Sequence, residues 1–198
     1  MITLYHRSKT RSSRFIFLLE ELGAPYQIKH VTTRTAQGGG EIDPSNPHPH
    51  GKVPAISDDG EIVFESPAIV LYLTDKFPKN NLGPQVGEKK RGTYVSMLAY
   101  YGSVLEPAFV SKFMNVTVPV GTAGWVNVEE AMKFVIEILG KSPYILGDKF
   151  SGADVLYATT FGMFGQSPLL PKSDVITGYV KRCLERPAYA RAQEKDAA

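Results

Sequence analysis

The sequence predicts an α/β half followed by an all-helical half, and three observations carry that division. Apolar runs suited to short strands, Ile2 to Tyr5 and Tyr26 to Val31, flank a stretch in which Phe15, Leu18, Leu19 and Leu22 recur at i, i+3, i+4 and i+7. The segment from Gly51 to Leu73, GKVPAISDDGEIVFESPAIVLYL, reads as two strands joined at Asp58-Asp59-Gly60 and then switches to helical spacing. Beyond about Val86 strand patterns vanish. Tyr94, Met97, Leu98, Tyr101 and Leu105 share one helical face, and Val128, Met132, Val135, Ile136 and Leu139 share another.

Taken in order, the first strand leads into a helix from about Ser12 to Leu22 that stops at Gly23, and a second strand follows. Parallel pairing of those strands through the helix makes a right-handed βαβ unit. Thr32 to His50 is polar, with Gly38-Gly39-Gly40 and then Pro44, Pro47 and Pro49, so a mobile loop with at most a short irregular helix is expected. His48 and His50 lack a third ligand nearby and read as surface residues, with no metal expected. Val53-Pro54 removes a backbone donor at the start of the third strand, which places that strand at an edge or makes the proline cis in a tight turn. Ser66 reads as an N-cap, with Pro67 as the first helical residue.

Phe77 to Pro84 has linker composition, which divides the chain into residues 1–78, a linker over 79–85 and a helical domain over 86–198. Asn115 to Gly124 interrupts the helices as a loop, with Trp125 at its exit. Ser151 and Asp154 form a capping-box variant ahead of an apolar helix, a folding role rather than a catalytic one. Ser173 to Leu184 and a short restart from Arg186-Pro187-Ala188-Tyr189 complete the helices before a charged tail.

With 198 residues, the chain is long enough to bury a real core. A formal charge of +2 gives no general pull towards nucleic acid or an anionic membrane. Cys183 is the only cysteine, so disulfide frameworks, Cys-x-x-Cys redox pairs and cysteine-based zinc sites are excluded. The start, MITLYHRSKTRSS, has no signal-peptide core, and no apolar run approaches the ~18 residues of a membrane span. A soluble cytoplasmic protein is expected.

The chemistry is concentrated where the hairpin feeds the helix. A helix N-terminus with free N–H groups and a hydroxyl suits a carboxylate, and a neighbouring Glu65 suits an ammonium, so Glu65 and Ser66 together fit a free α-amino acid end. Val53 has backbone groups available for an extended ligand. At these residues the chain resembles the soluble glutathione S-transferases, whose thioredoxin-like βαβ-ββα domain carries a cis-proline after a Val and a Glu-Ser pair for the γ-glutamyl end of glutathione. The Gly147 to Asp154 segment, GDKFSGAD, is similar to a helix-start signature of that family's helical domain, so the resemblance covers essentially the whole chain.

The resemblance implies glutathione as substrate, bound by Lys52, Val53, Pro54, Glu65 and Ser66, with Lys52 reaching its glycine carboxylate. It also implies a homodimer and an apolar electrophile. The aromatic-rich stretch of Tyr100, Tyr101, Phe109, Phe113 and Met114 is expected to divide between interdomain core and a pocket for that electrophile, with Tyr100, Tyr101 and Phe109 as candidate pocket residues. Conjugation requires a thiolate, whereas a free thiol near pKa 8.5 is mostly protonated at neutral pH. In the family the turn after the first strand supplies the activating Tyr, Ser or Cys. Here it reads Tyr5-His6-Arg7-Ser8-Lys9-Thr10-Arg11-Ser12-Ser13-Arg14, similar to a bacterial and fungal subgroup with S-P-R-S-R-S-S-R. Counting back from Gly23 sets the family's Ser position near Lys9, its Cys position near Arg11 and its Tyr position near Tyr5. Thr10 and Ser12 rank ahead of Ser8 and Tyr5 as the hydroxyl, and Arg11 is the electrostatic assistant. Ser12 or Ser13 as a plain helix cap, Tyr5 as a core residue below the turn and Arg11 as a solvated charge remain the alternatives. The functional expectation is a detoxifying transferase, against a non-catalytic glutathione-binding or interaction protein, or a peroxidase or isomerase on the same fold.

Overall fold

In a computed structural model, which describes residues 1–34, 39–165 and 167–197, the chain forms two compact units. The first begins with strand β1 (Ile2–His6), helix α1 (Ser13–Leu22) and strand β2 (Tyr26–His30), followed by the hairpin of β3 (Ala55–Asp58) and β4 (Glu61–Phe64) and helix α2 (Ser66–Lys76). Its sheet has the order β2-β1-β3-β4, with β2 parallel to β1 and the hairpin antiparallel. Ile2, Leu4 and Ile56 give the sheet a buried face, and Phe15 to Leu19 are all buried in α1. Asp59 and Gly60 both adopt positive φ in the hairpin turn, as a tight reversal there requires. Tyr72 and Lys76 of α2 both bond Asp58, which ties that helix to β3.

The second unit, Asn81–Glu185, contains α3 (Arg91–Tyr100), α4 (Glu106–Phe113), α5 (Val128–Leu139), α6 (Gly152–Phe164) and α7 (Asp174–Leu184). The face expected to run unbroken from Tyr94 to Leu105 instead crosses a π-helical turn at Tyr101–Leu105 before α4. Pro107 lacks an N–H and crowds the carbonyl four residues back, so the regular ladder cannot pass it, and Glu106 N–H reaches Tyr101 O instead. The central helix is α6, buried on every side through its first two turns.

The change from one unit to the other falls between Asn80 and Asn81. The final helix differs from expectation: α8 (Pro187–Ala197) clusters with the first unit rather than with the helical one. Arg186 makes a two-pronged pair with Glu21 at 2.7 Å per bond, while Arg191 and Lys195 bond Glu20 at 2.8 and 2.6 Å. Ala188 and Ala192 are buried, and Tyr189 meets the edge of Phe17 at 5.3 Å. Partial burial works against the Glu20 carboxylate, but bonds from Lys195, Arg191 and Tyr26 outweigh it and bring its pKa to about 2.

Candidate functional site

Strand register gathers the predicted residues at one end of the sheet. Tyr5 pairs with Ala55 and Ala55 with Phe64, so the turn leaving β1, the Val53-Pro54 peptide entering β3 and the Glu65-Ser66 step leaving β4 lie side by side. The Val53-Pro54 bond is cis, with Pro54 buried, Val53 half-buried and Lys52 exposed. The loop leading to it is knitted by its own polar groups. Asn46 donates to Lys52 O at 3.0 Å and accepts from His48 N–H at 3.1 Å, and Gly51 N–H donates to His48 O at 2.9 Å. Gly51 has φ +59, and a Cβ there would stand 2.4 Å from Ile42 Cγ2, so this position demands glycine.

His48 corrects the surface reading. It is only 8% exposed, lies 5.3 Å from the Phe64 ring, and accepts His50 N–H through Nδ1 at 3.1 Å. No group of three or more potential metal ligands occurs among the described residues. Of the triple glycine, Gly38 lies outside the described residues.

At α2 the helix begins one residue earlier than expected: Ser66 is its first residue and Glu65 takes the cap position. Glu65 has φ 68 and ψ 124, a conformation a non-glycine residue holds only when its surroundings impose it, at a cost of about 1–3 kcal/mol. No side chain caps this helix. Its first-turn N–H groups, Pro67 having none, lack an intrahelical acceptor and lie beside an exposed Glu65 and a buried Ser66.

The turn after β1 is more ordered than its charged sequence suggests. Ser12 is fully buried and makes no side-chain cap bond to α1. Its Oγ lies 2.8 Å from His6 Nδ1 and 2.8 Å from Thr10 Oγ1, and it accepts Arg7 N–H at 3.1 Å. Ser12 thus holds the N-cap position of α1 without capping it through its side chain, and is no outward-facing donor; its hydroxyl is the internal brace of the turn. Thr10 is half-buried and donates to Arg7 O at 2.6 Å, while Ser8 and Arg11 are exposed. Tyr5 is half-buried on the opposite face of β1 from Leu4 and His6, with Lys29 Nζ 5.6 Å from its ring centre. Two residues that the sequence reading passed over complete the turn: His6, fully buried, and Asp196 of α8, whose carboxylate lies 3.1 Å from His6 Nε2 and accepts from Lys9 N–H and the Ser13 hydroxyl.

Burial pulls the His6 pKa below its usual value, with Asp196 opposing and His30 adding to the effect; burial likewise lowers His48, against Glu65 and with His50 and Lys52. An unfolded histidine takes up a proton below about pH 6.5 that these two resist, so their contribution to stability is present above that value and is lost as pH falls through their folded pKa. We expect the denaturant midpoint to be lower at pH 5.5 than at pH 7, and the drop to shrink in His48→Gln. An equal drop in both proteins would remove His48 from that account.

In the helical unit the three aromatic candidates separate. Tyr101 is fully buried, with its hydroxyl between Thr160 at 2.7 Å and Glu106 at 2.8 Å, so it is core and lines no open pocket. Phe109 is buried against Phe164 at 5.6 Å, whereas Tyr100 is half-buried against Phe134 at 5.1 Å. Phe113 and Met114 are largely exposed. The loop between α4 and α5 borders an open cleft of about 630 Å³ lined by Ala108, Val118, Trp125 and Val128 among others, which helical periodicity had no means of signalling.

Residues 1–75 match the family described as "Glutathione S-transferase, N-terminal domain". Glutathione S-transferase 3 of Schizosaccharomyces pombe is 40% identical over 80 residues, which are 39% of this chain and 31% of that protein, so the matched part spans about a third of that relative. Glutathione S-transferase GstA of Escherichia coli O157:H7 is 29% identical over 71% of each chain. The solved structure of a sphingomonad glutathione S-transferase complexed with glutathione superposes with a TM-score of 0.78 at 25% identity, covering 98% of both chains. Residues 1–75 therefore carry the N-terminal domain of the glutathione S-transferases, and the whole chain has the two-unit fold of its structural relatives.

Proposed function

We propose that the protein is a glutathione transferase, moving the sulfur of glutathione onto a small apolar electrophile. The observation that carries the proposal is the end of the sheet: an uncapped helix N-terminus with Glu65 held at positive φ, beside the cis Val53-Pro54 peptide. In this reading Glu65 pairs with the α-ammonium of the γ-glutamyl group and the Ser66 hydroxyl and first-turn N–H groups of α2 take its carboxylate. Val53 bonds the peptide backbone in extended form, Pro54 shapes its approach, and Lys52, exposed, pairs with the glycine carboxylate. The sphingomonad relative solved with glutathione supports the choice of ligand.

The sulfur then faces the turn after β1. Ser12 has its oxygen committed inside, so Thr10 is the better donor to the thiolate, with Arg11 adding positive potential. The proton leaves the thiol to solvent, and the thiolate forms the new carbon–sulfur bond as the electrophile either releases a leaving group with its bonding pair or opens a π bond that takes up a proton from solvent. Tyr100, half-buried, remains an aromatic candidate for the electrophile, whereas Phe109 is buried against Phe164. The internal bonding of Thr10 to Arg7 O favours a second reading, glutathione binding without turnover. Calorimetry with glutathione, followed by turnover on a panel of small electrophiles, separates them. Binding with turnover is expected; binding without it would favour the second reading, and absence of binding would overturn both.

A further inference from the structure

Asp196 is nearly at the end of α8, yet its contacts are with the turn after β1, some 190 residues earlier in the chain. It is 8% exposed, accepts Lys9 N–H at 3.2 Å and the Ser13 hydroxyl at 2.5 Å, and stands 3.1 Å from His6 Nε2, off the line of an ideal hydrogen bond. Lys9 itself holds φ 58, so the carboxylate takes the N–H of a residue in a costly conformation. The carboxylate is delivered there by α8, which is fastened to α1 through Glu20 and Glu21.

From Asp196 a line of polar contacts runs inward to the hydroxyl nearest the proposed sulfur. A carboxylate facing Nε2 keeps the imidazole proton on that nitrogen, which leaves Nδ1 as an acceptor. The Ser12 hydroxyl then donates to Nδ1, and its remaining lone pairs accept Arg7 N–H and face Thr10 Oγ1 at 2.8 Å. Thr10 Oγ1 in turn accepts Ser12 N–H at 3.2 Å and rests with its own proton on Arg7 O at 2.6 Å, the bond it exchanges for the sulfur. His30, from β2, is the other ionisable ring against His6, at 5.4 Å edge to face.

We infer that Asp196 is a positioning residue for the thiolate turn: by orienting His6 and holding Lys9 and Ser13, it sets the direction in which Thr10 presents its hydroxyl to the sulfur. The inference rests on the glutathione transferase reading above. Burial of His6, which disfavours its charged form, is consistent with a neutral ring accepting from Ser12.

The test compares full-length wild type, Asp196→Ala, Asp196→Asn and Arg191→Ala, the last removing a fastening of α8 without touching the turn. Long-range proton–nitrogen spectra should show His6 carrying its proton on Nε2 in the wild type, with that preference lost and the Lys9 amide exchanging about tenfold faster in Asp196→Ala. Neither readout requires glutathione. With glutathione bound, the thiol of Asp196→Ala should titrate about one unit higher, and kcat near pH 6.5 should fall about tenfold with KM for glutathione changed less than about twofold. Asp196→Asn, which keeps an acceptor but no charge, should fall between, and serves if the alanine variant fails to fold. Arg191→Ala should lose some stability and leave the titration where it was. The inference is overturned if His6 carries its proton on Nδ1 in the wild type, if Asp196→Ala lowers only the melting temperature, or if Arg191→Ala shifts the titration equally. A wild type that binds no glutathione overturns the functional reading instead, and the ring tautomer and Lys9 exchange still decide whether Asp196 orders the turn.

Discussion

Asp154→Ala is expected to cost about 3–5 kcal/mol of folding stability, because one fully buried carboxylate serves four donors. Oδ1 accepts Ile145 N–H and the Tyr179 hydroxyl, both at 2.9 Å, and Oδ2 accepts the N–H and O–H of Ser151, both at 2.8 Å. The capping box that starts α6 is therefore also the junction between that helix, the 145–151 segment and α7. Burial pushes the Asp154 pKa up, with the bonds from Ile145, Ser151 and Tyr179 holding it back. Truncation leaves two backbone N–H groups and the Ser151 and Tyr179 hydroxyls inside the core without their acceptor. For a chain of this size the loss corresponds to a drop in melting temperature of about 10 °C or more. Turnover per folded molecule should stay nearly constant. A melting temperature unchanged to within about 2 °C, or a collapse of turnover at full stability, would assign Asp154 elsewhere.

The double variant Glu65→Ala, Ser66→Ala should lose about a hundredfold or more in glutathione affinity, since each charge-assisted bond is worth about 1.5–3 kcal/mol and 1.4 kcal/mol is tenfold. Each single change should cost roughly tenfold or more. Stability should fall little and could rise, because Glu65 is exposed, sits at φ 68 and makes no side-chain cap bond. Calorimetric titration with glutathione measures the loss, and far-ultraviolet circular dichroism checks that α2 still forms. Affinity within about threefold of wild type in the folded double variant would show that glutathione, if bound, sits away from this helix.

Much of this site was legible in the chain because its parts are local. A valine before a proline, a hairpin turn with glycine and a proline one residue inside a helix each act through the φ and ψ of a few neighbours, so Val53, Pro54, Glu65 and Ser66 declare themselves without knowledge of the fold. The helix boundary moved by only one residue at Ser66. Asp154 was likewise readable as a structural acid from its spacing to Ser151, although its partners Ile145 and Tyr179 were not.

The turn after β1 shows where local reading ends. Ser12 and Thr10 both look like candidate donors in a string of hydroxyls and cations, and the choice between them depends on His6 beneath and Asp196 alongside. His48 looked like a surface residue in a proline-rich loop until the Phe64 ring covered it. The π-helical turn at Tyr101–Leu105 was in principle readable from Pro107, but its effect on which aromatics reach solvent was not.

By itself the sequence determined the two-part architecture, the elements and their order, and the strand-turn-helix segment on which glutathione recognition is proposed to rest, because periodicity, glycine, proline and capping residues act over a few positions. Tertiary structure alone decided that α8 belongs with the first unit, that Ser12 braces the turn from inside, and that Asp196 stands against His6. Those outcomes depend on side chains separated by up to 190 residues meeting in a low-dielectric interior, where burial and hydrogen-bond geometry set the role of a polar group and residue type alone does not.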